Sequence, residues 1–393
     1  MQMTLMLIAG VLFGATDSVA AGVDPADSRI HYTGRWEFSN PSAPWCAWQG
    51  SSIMASFNGT AIRAEFDGGS RPEHIRVIID GNSADSRKLK LSPQRQTYTL
   101  ASGLDRGRHR IEIVKETYTG KGRMTLYGFK VTGEGLVEML DAQPHLRIVF
   151  YGDSNLAGVS LEHEKNEGSP NLRGSYYSFA GIASRMLNAE YHNISSSGAK
   201  INGGLNSGMS FFNRVDFLNA EPRWDFDTFP ADICVVNLGA NDITSKSKDQ
   251  IKQDYKTFVR TLRKAHPDAH IVLMNGYGWA RDETANYTQE VVAEMGDARL
   301  SRVIFPWLFN EWHGSEYDHA GMAQTLVNHL VLLNPDRKQV HPIDVMDGFG
   351  RNGNVANGSF ETVAPFGGYG CATTPTVPRG FTILTRVDRK SVV

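Results

Sequence analysis

The sequence predicts an α/β protein in two parts: an N-terminal β-sandwich, then a domain whose central parallel sheet is buried on both sides. Three observations carry this expectation. The length of 393 residues leaves room for two or three domains at roughly 150 residues each. Across residues 30–131 short alternating segments are separated by turn residues, the pattern of an all-β sandwich. From Leu146 the texture changes to apolar strands alternating with helical stretches, which argues for parallel strands covered by helices.

In chain order, residues 5–15 form an apolar run of signal-peptide length, too short to span a bilayer. Small residues at Ser18, Ala20 and Ala21 supply a cleavage site, although Met1-Gln2-Met3 lacks the basic residues that usually come first. Residues 1–21 are therefore expected to be a signal peptide, with the mature protein secreted or periplasmic and without a membrane span. The sandwich is expected over residues 28–135, with strands at 52–57, 61–66, 74–79, 110–114 and 124–131. Between them lie Asn58-Gly59, Asp67-Gly68-Gly69 and Asp80-Gly81, residues that tolerate the positive φ of hairpin connections. The α/β domain is expected over residues 143–340, with strands at 146–151, 233–238 and 270–275 and helices at 176–187, 248–265 and 322–332. In the helix at 248–265, Ile251, Tyr255, Phe258, Val259 and Leu262 fall on one face with charged residues between them, the spacing of an amphipathic helix. Residues 341–393 are rich in Gly, Asn, Pro and Thr without periodicity and read as a tail.

Composition narrows the function. Hydrophobic residues at 41% and charged residues at 21% exclude wholesale disorder and rod-like folds. Lys and Arg number 40 against 42 Asp and Glu, so no basic field exists to attract nucleic acid. The three cysteines, Cys46, Cys234 and Cys371, cannot all pair within one chain, and Cys234 lies in an apolar strand-like run that suits a buried thiol. No HExxH, CxxC or Walker pattern occurs, so neither a metal nor another cofactor is expected. Oligomeric state leaves no signature.

Four motifs carry residues suited to chemistry. Gly152-Asp153-Ser154 directly follows the strand at 146–151 and precedes a stretch, 155–158, that could open a helix. Ser154 would then lie at the carboxyl edge of the sheet, where open α/β sheets bind ligands and turn N–H groups face a developing oxyanion. The same tripeptide also serves as a turn with an Asp cap. Gly239-Ala240-Asn241-Asp242 follows the strand at 233–238 and reaches the same edge. Asn241 suits an oxyanion donor, and Asn241 or Asp242 suits a helix N-cap equally well. Ser195-Ser196-Ser197-Gly198 follows a short strand-like segment at 190–194, and Gly198 either lets the backbone approach a substrate oxygen or is a plain loop glycine. In Glu311-Trp312-His313 a carboxylate and an imidazole stand two residues apart and point the same way in an extended chain. A serine hydroxyl needs an imidazole to take its proton and usually a carboxylate to orient that imidazole. His319 with Glu316 or Asp318 is the competing pair.

Taken in order, Gly152-Asp153-Ser154, Gly198, Gly239-Ala240-Asn241-Asp242 and His313 resemble the four blocks of the SGNH hydrolases, a superfamily of serine esterases. More narrowly, the chain resembles carbohydrate esterase family 2 over about residues 28–335. Its marks are Tyr32-Thr33-Gly34-Arg35-Trp36, Trp48-Gln49-Gly50-Ser51, the segment from His109 through Ile113 and Lys115 to Phe129, and Leu187-Asn188-Ala189-Glu190-Tyr191. The spacing from His313 to His319 to Met322 matches as well and favours His313 as the base.

The resemblance implies a jelly-roll sandwich joined to an SGNH-type α/β/α domain. It implies Ser154 as nucleophile, His313 as base, Glu311 as its carboxylate, and the amides of Ser154 and Gly198 with the Asn241 side chain as oxyanion hole. Trp312 and Asp153 would face the substrate, an acetylated polysaccharide or oligosaccharide such as acetylxylan or acetylglucomannan, deacetylated through an acetyl-serine intermediate. Two departures stand out: Glu311 replaces the commoner Asp, and Asn155 replaces the apolar residue that usually follows the nucleophile. Some members of the family work with a Ser–His dyad. The alternatives are an SGNH lipase or aryl esterase and a catalytically inactive carbohydrate-binding protein. In the tail, Asn357-Gly358-Ser359-Phe360-Glu361 looks like the first strand of a carbohydrate-binding module with too little chain behind it to complete one.

Overall fold

The computed structural model describes residues 22–71, 73–117, 122–140, 145–159, 161, 174–276, 287–305 and 313–341. The expected signal peptide, the tail beyond His341, Cys371, Glu311 and Trp312 lie outside the described residues.

The first domain contains β1 (His31–Thr33), β2 (Trp36–Glu37), β3 (Trp45–Cys46), β4 (Ser52–Asp67), β5 (Glu73–Ile79), β6 (Asn82–Leu91), β7 (Gln96–Lys115) and β8 (Met124–Val137). These join in one eight-stranded ladder in the order β2-β3-β8-β4-β7-β5-β6, with β1 on β4. Every pairing in it is antiparallel. Two of the expected strands prove to be one, because Asn58-Gly59 lies inside β4 and makes no hairpin. Its register against β7 slips between Gly59 and Ala61. The buried side chains of β4 change phase there, from Ile53, Ala55 and Phe57 to Ile62, Ala64 and Phe66. A strand with period 2 would otherwise keep one parity, so the irregularity returns the apolar set to the core. An Asn-Gly pair accommodates such a bulge as readily as a turn. Asp80-Gly81 does form the expected two-residue connection, with φ of 54° and 71° between β5 and β6, as primed hairpin turns require.

The second domain holds β9 (Leu146–Gly152), β10 (Ala189–Ser195), β11 (Ile233–Asn237), β12 (His270–Gly276) and β13 (Leu300–Phe305). All are parallel, in the order β10-β9-β11-β12-β13. Its helices are α1 (Phe179–Met186), α2 (Gly208–Phe211), α3 (Lys248–Ala265), α4 (Tyr287–Met295) and α5 (Glu316–Leu333). Alternate strand residues divide between two cores. Ile148, Phe150, Ile233, Val235, Val272 and Met274 pack with α1 and α5. Val149, Tyr151, Cys234, Val236, Ile271 and Leu273 pack with α3. Strands buried on both faces read as continuous apolar runs, which is why they were visible in the sequence.

The expected face of α3 is the buried one, Ile251, Tyr255, Phe258, Val259 and Leu262, and a capping box of Ser247 and Gln250 opens the helix. Capping also moves two boundaries: Ser178 starts α1 at Phe179, and Ser315 with Asp318 starts α5 at Glu316.

The domains share side chains. Trp48 lies in the α3-side core with its ring 5.6 Å from that of Phe211. The Trp48 indole N–H donates to the Arg214 carbonyl at 3.1 Å, and Arg35 donates to the same oxygen at 2.8 Å. Gln49 Nε2 donates to Asn193 Oδ1 at 3.1 Å and to the Ser195 carbonyl at 3.0 Å. Glu116 pairs with Arg76 and accepts the Tyr176 N–H at 3.1 Å. The segments around Arg35 and Trp48 are thus interface residues.

Candidate active site

Strand order reverses at β9, with β10 on one side and β11 to β13 on the other. That reversal is the switch point, at the carboxyl ends of β9 and β11, where open α/β sheets hold ligands. Gly152 pairs in register with Ser195 on β10 and with Asn237 on β11. The chain segments carrying Ser154, Gly198 and Asn241 consequently emerge along one edge.

The Asp153 side chain is fully buried. Oδ1 accepts the Asn155 N–H at 3.0 Å and Oδ2 accepts from Asn241 Nδ2 at 3.3 Å, so the carboxylate closes an Asx-type turn. Burial, reinforced by the charge of Asp242, pushes its carboxyl up to about 7. Ser154 follows on this turn, which is closed by Ala157 N–H to the Asp153 carbonyl at 3.0 Å and Val159 N–H to the Ser154 carbonyl at 3.1 Å. No helix opens at 155–158.

Gly198 is exposed and has φ of 76°. An added Cβ would meet Asn206 Nδ2 at an ordinary 3.6 Å, so the left-handed backbone, not crowding, reserves the position for glycine. Asn241 is half-buried and also donates to the Ala199 carbonyl at 3.0 Å. It thereby bridges the Ser154 turn and the Gly198 loop. It caps no helix, since Ser247 caps α3. Asp242 is buried and accepts the Ile201 N–H at 3.1 Å. At Gly239, with φ of 111°, a Cβ would come within 2.7 Å of the Tyr287 hydroxyl and 3.0 Å of the Tyr255 hydroxyl, so these two phenols floor the Asn241 turn.

His313 is half-buried, and desolvation pushes its imidazole down to about 4. The next residue, Gly314, donates its N–H to Asn155 Oδ1 at 3.4 Å. Asn155, the polar departure after the nucleophile block, thus links the Ser154 turn to the His313 loop. His319 is different: it is fully buried and its Nδ1 accepts the Phe179 N–H at 3.0 Å. Asp318 accepts from the Ser315 N–H at 2.7 Å in the helix cap. The competing histidine pair therefore belongs to the framework of α1 and α5.

A serine on a strand-to-loop turn, a neutral imidazole on an adjoining loop and amide donors from two further loops are the parts of nucleophilic acyl transfer. Sequence reasoning missed the bonds of Gln49 to β10 and of Asp242 to the Ile201 N–H, because each joins residues distant in the chain.

Over residues 32–139 the chain matches the family described as carbohydrate esterase 2 N-terminal, and over residues 150–320 the GDSL-like lipase/acylhydrolase family. It is 31% identical over 323 residues to cellulase/esterase CelE of Acetivibrio thermocellus, which covers 77% of this chain and 39% of that protein. The chain thus spans well under half of CelE. It is 26% identical over 340 residues to an acetylxylan esterase/glucomannan deacetylase of Cellvibrio japonicus, covering 81% of this chain and 92% of the relative. The solved structure of a family two carbohydrate esterase from Clostridium thermocellum in complex with cellohexaose is similar with a TM-score of 0.70. Its identity is 28%, over 77% of this chain and 98% of that one.

Proposed function

Because the chain belongs to carbohydrate esterase family 2, we propose that it is an exported esterase removing O-acetyl groups from acetylxylan or acetylglucomannan. The observation that carries this reading is the bridge made by Asn241 between the Asp153-Ser154 turn and the Gly198 loop. In the proposed reaction His313 takes the Ser154 hydroxyl proton as Oγ attacks the acetyl carbonyl. The N–H groups of Ser154 and Gly198 and the Asn241 amide receive the oxyanion. The sugar C–O bond to the acyl carbon breaks, His313 returns the proton to the departing sugar oxygen, and an acetyl-serine remains. Water, deprotonated by the same imidazole, releases acetate and restores Ser154.

The low imidazole pKa suits a base that is free to accept a proton at neutral pH. Glu311 would orient His313, and Trp312 would offer an apolar face to a pyranose ring. Export fits a substrate too large to enter a cell, and the apolar run at 5–15 supports it. The relatives' names support the substrate class: one is an acetylxylan esterase/glucomannan deacetylase, and another binds cellohexaose.

The test is acetate release from acetylated xylan and acetylated glucomannan by wild type, Ser154→Ala and His313→Ala, with folding checked by circular dichroism. Release by wild type alone is expected. Equal silence of all three on these polymers and on a small acetyl ester would overturn the reading.

A further inference from the structure

Two of the three proposed oxyanion donors, Gly198 and Asn241, sit on separate loops, and a charged cluster ties those loops together. Lys246 Nζ lies 2.7 Å from Asp242 Oδ1, 2.6 Å from Asp254 Oδ2 and 2.6 Å from the Asn202 carbonyl. Asp242 uses its other oxygen to accept the Ile201 N–H at 3.1 Å. Asn202 Nδ2 donates to Asp254 Oδ1 at 3.0 Å. Asp242 is the neighbour of Asn241, and Ile201 and Asn202 follow closely on Gly198. One ammonium therefore fixes the chain just beyond Gly198 and Asn241, and Asp254 anchors the cluster to α3.

Exposed ion pairs usually contribute little. This one differs because the Asp242 side chain is fully buried, the Lys246 side chain is 18% exposed, and one of the bonds goes to the backbone. Burial pushes the Asp242 carboxyl up while the Lys246 ammonium opposes that rise, so removing the ammonium leaves a desolvated acid at the centre of the cluster.

Resting on the esterase reading above, we propose that Lys246 is a positioning residue whose ammonium holds Gly198 and Asn241 at the spacing a tetrahedral oxyanion requires. It touches no substrate. Its loss displaces the donors, and small displacements of such groups act on the transition state more than on ground-state binding.

The experiment compares wild type, Lys246→Met, Lys246→Arg and Ser154→Ala on 4-nitrophenyl acetate and acetylated xylan. It also measures thermal midpoints and inhibition by phenylboronic acid, which forms a tetrahedral adduct with an active serine. Lys246→Met should lower kcat about 10- to 100-fold, leave KM within about 2-fold and weaken the boronic acid by a factor similar to the kcat loss. Lys246→Arg should recover most of this. The proposal is overturned if Lys246→Met keeps the wild-type kcat and boronic acid affinity, if KM rises as much as kcat falls, or if Lys246→Arg restores nothing. Should Lys246→Met not fold, Asp254→Asn decides: a loss confined to kcat supports the role, and an unchanged kcat overturns it. Wild type as silent as Ser154→Ala would instead sink the esterase reading, whereas an active wild type matched by Lys246→Met sinks only the positioning role.

Discussion

The side-chain amide of Asn241 donates to the buried carboxylate of Asp153 at 3.3 Å and to the carbonyl of Ala199 at 3.0 Å. Both of its N–H groups are thus engaged, and in the proposed reaction the longer bond is the one that would yield to the oxyanion. Asn241→Ala should lower kcat by about 100-fold or more, as loss of one such donor does elsewhere, with KM little changed. Steady-state kinetics on a small acetyl ester checks this; a raised KM at wild-type kcat would assign Asn241 to substrate binding.

Asp153 should leave a mark on stability. Its carboxyl, pushed up to about 7 chiefly by burial, keeps a proton in the folded protein that the unfolded chain releases above the ordinary 3.8. Its contribution is therefore complete below pH 3.8 and is lost as the pH rises through about 7. Asp153→Asn abolishes this titration. Urea unfolding at several pH values should show the wild type losing stability relative to the variant between about pH 4 and pH 8. A constant difference would place the carboxyl at its ordinary value.

His313, pushed down to about 4 by burial, should stay neutral through the weakly acidic range. The acid limb of kcat/KM is expected well under the ordinary imidazole value of about 6.5. A measured limb at or above that value would mean that a carboxylate raises the ring, and Glu311→Gln should then bring the limb down.

The two histidines of the C-terminal block should separate cleanly. His319 accepts the first N–H of α1 from a fully buried position. His319→Ala should cost about 2–4 kcal/mol of stability through an unsatisfied donor and a cavity. His313→Ala should leave the thermal midpoint nearly unchanged and lower kcat by about 1,000-fold or more. Calorimetry and initial rates on the same preparations decide; the reverse pattern would exchange the two roles.

Glu116 holds the domain seam by pairing with Arg76, whose side chain is 3% exposed, and by accepting the Tyr176 N–H. Glu116→Ala should destabilise by about 3–5 kcal/mol, as breaking one half of a buried ion pair does. A single calorimetric transition shifted to lower temperature is expected. An unmoved transition would show that the seam contributes nothing.

Much of this was legible in the sequence for identifiable reasons. Strands buried on both faces, such as β9 and β11, are continuous apolar runs, and the stripe of α3 is unmistakable at helical spacing. The blocks at Ser154 and Asn241 could be placed on one edge because each directly follows such a strand, whereas Gly198 follows the polar edge strand β10. Polar or half-buried elements were not visible: β6 is largely exposed, and β13 lies at the sheet edge with mixed burial. Asn58-Gly59 carried a turn signal that a register slip satisfied instead. The burial and bonds of Asp153 were not readable, because a buried, hydrogen-bonded carboxylate and a free one have the same letter.

The Arg214 carbonyl receives both Trp48, 166 residues earlier in the chain, and Arg35, 179 residues earlier. During synthesis the chain of the N-terminal β-sheet domain is complete long before that oxygen exists. At roughly 5–20 residues per second, the indole and the guanidinium wait on the order of ten seconds or more for their acceptor. Over that interval the nascent first domain presents a tryptophan and a cation that the mature protein hides.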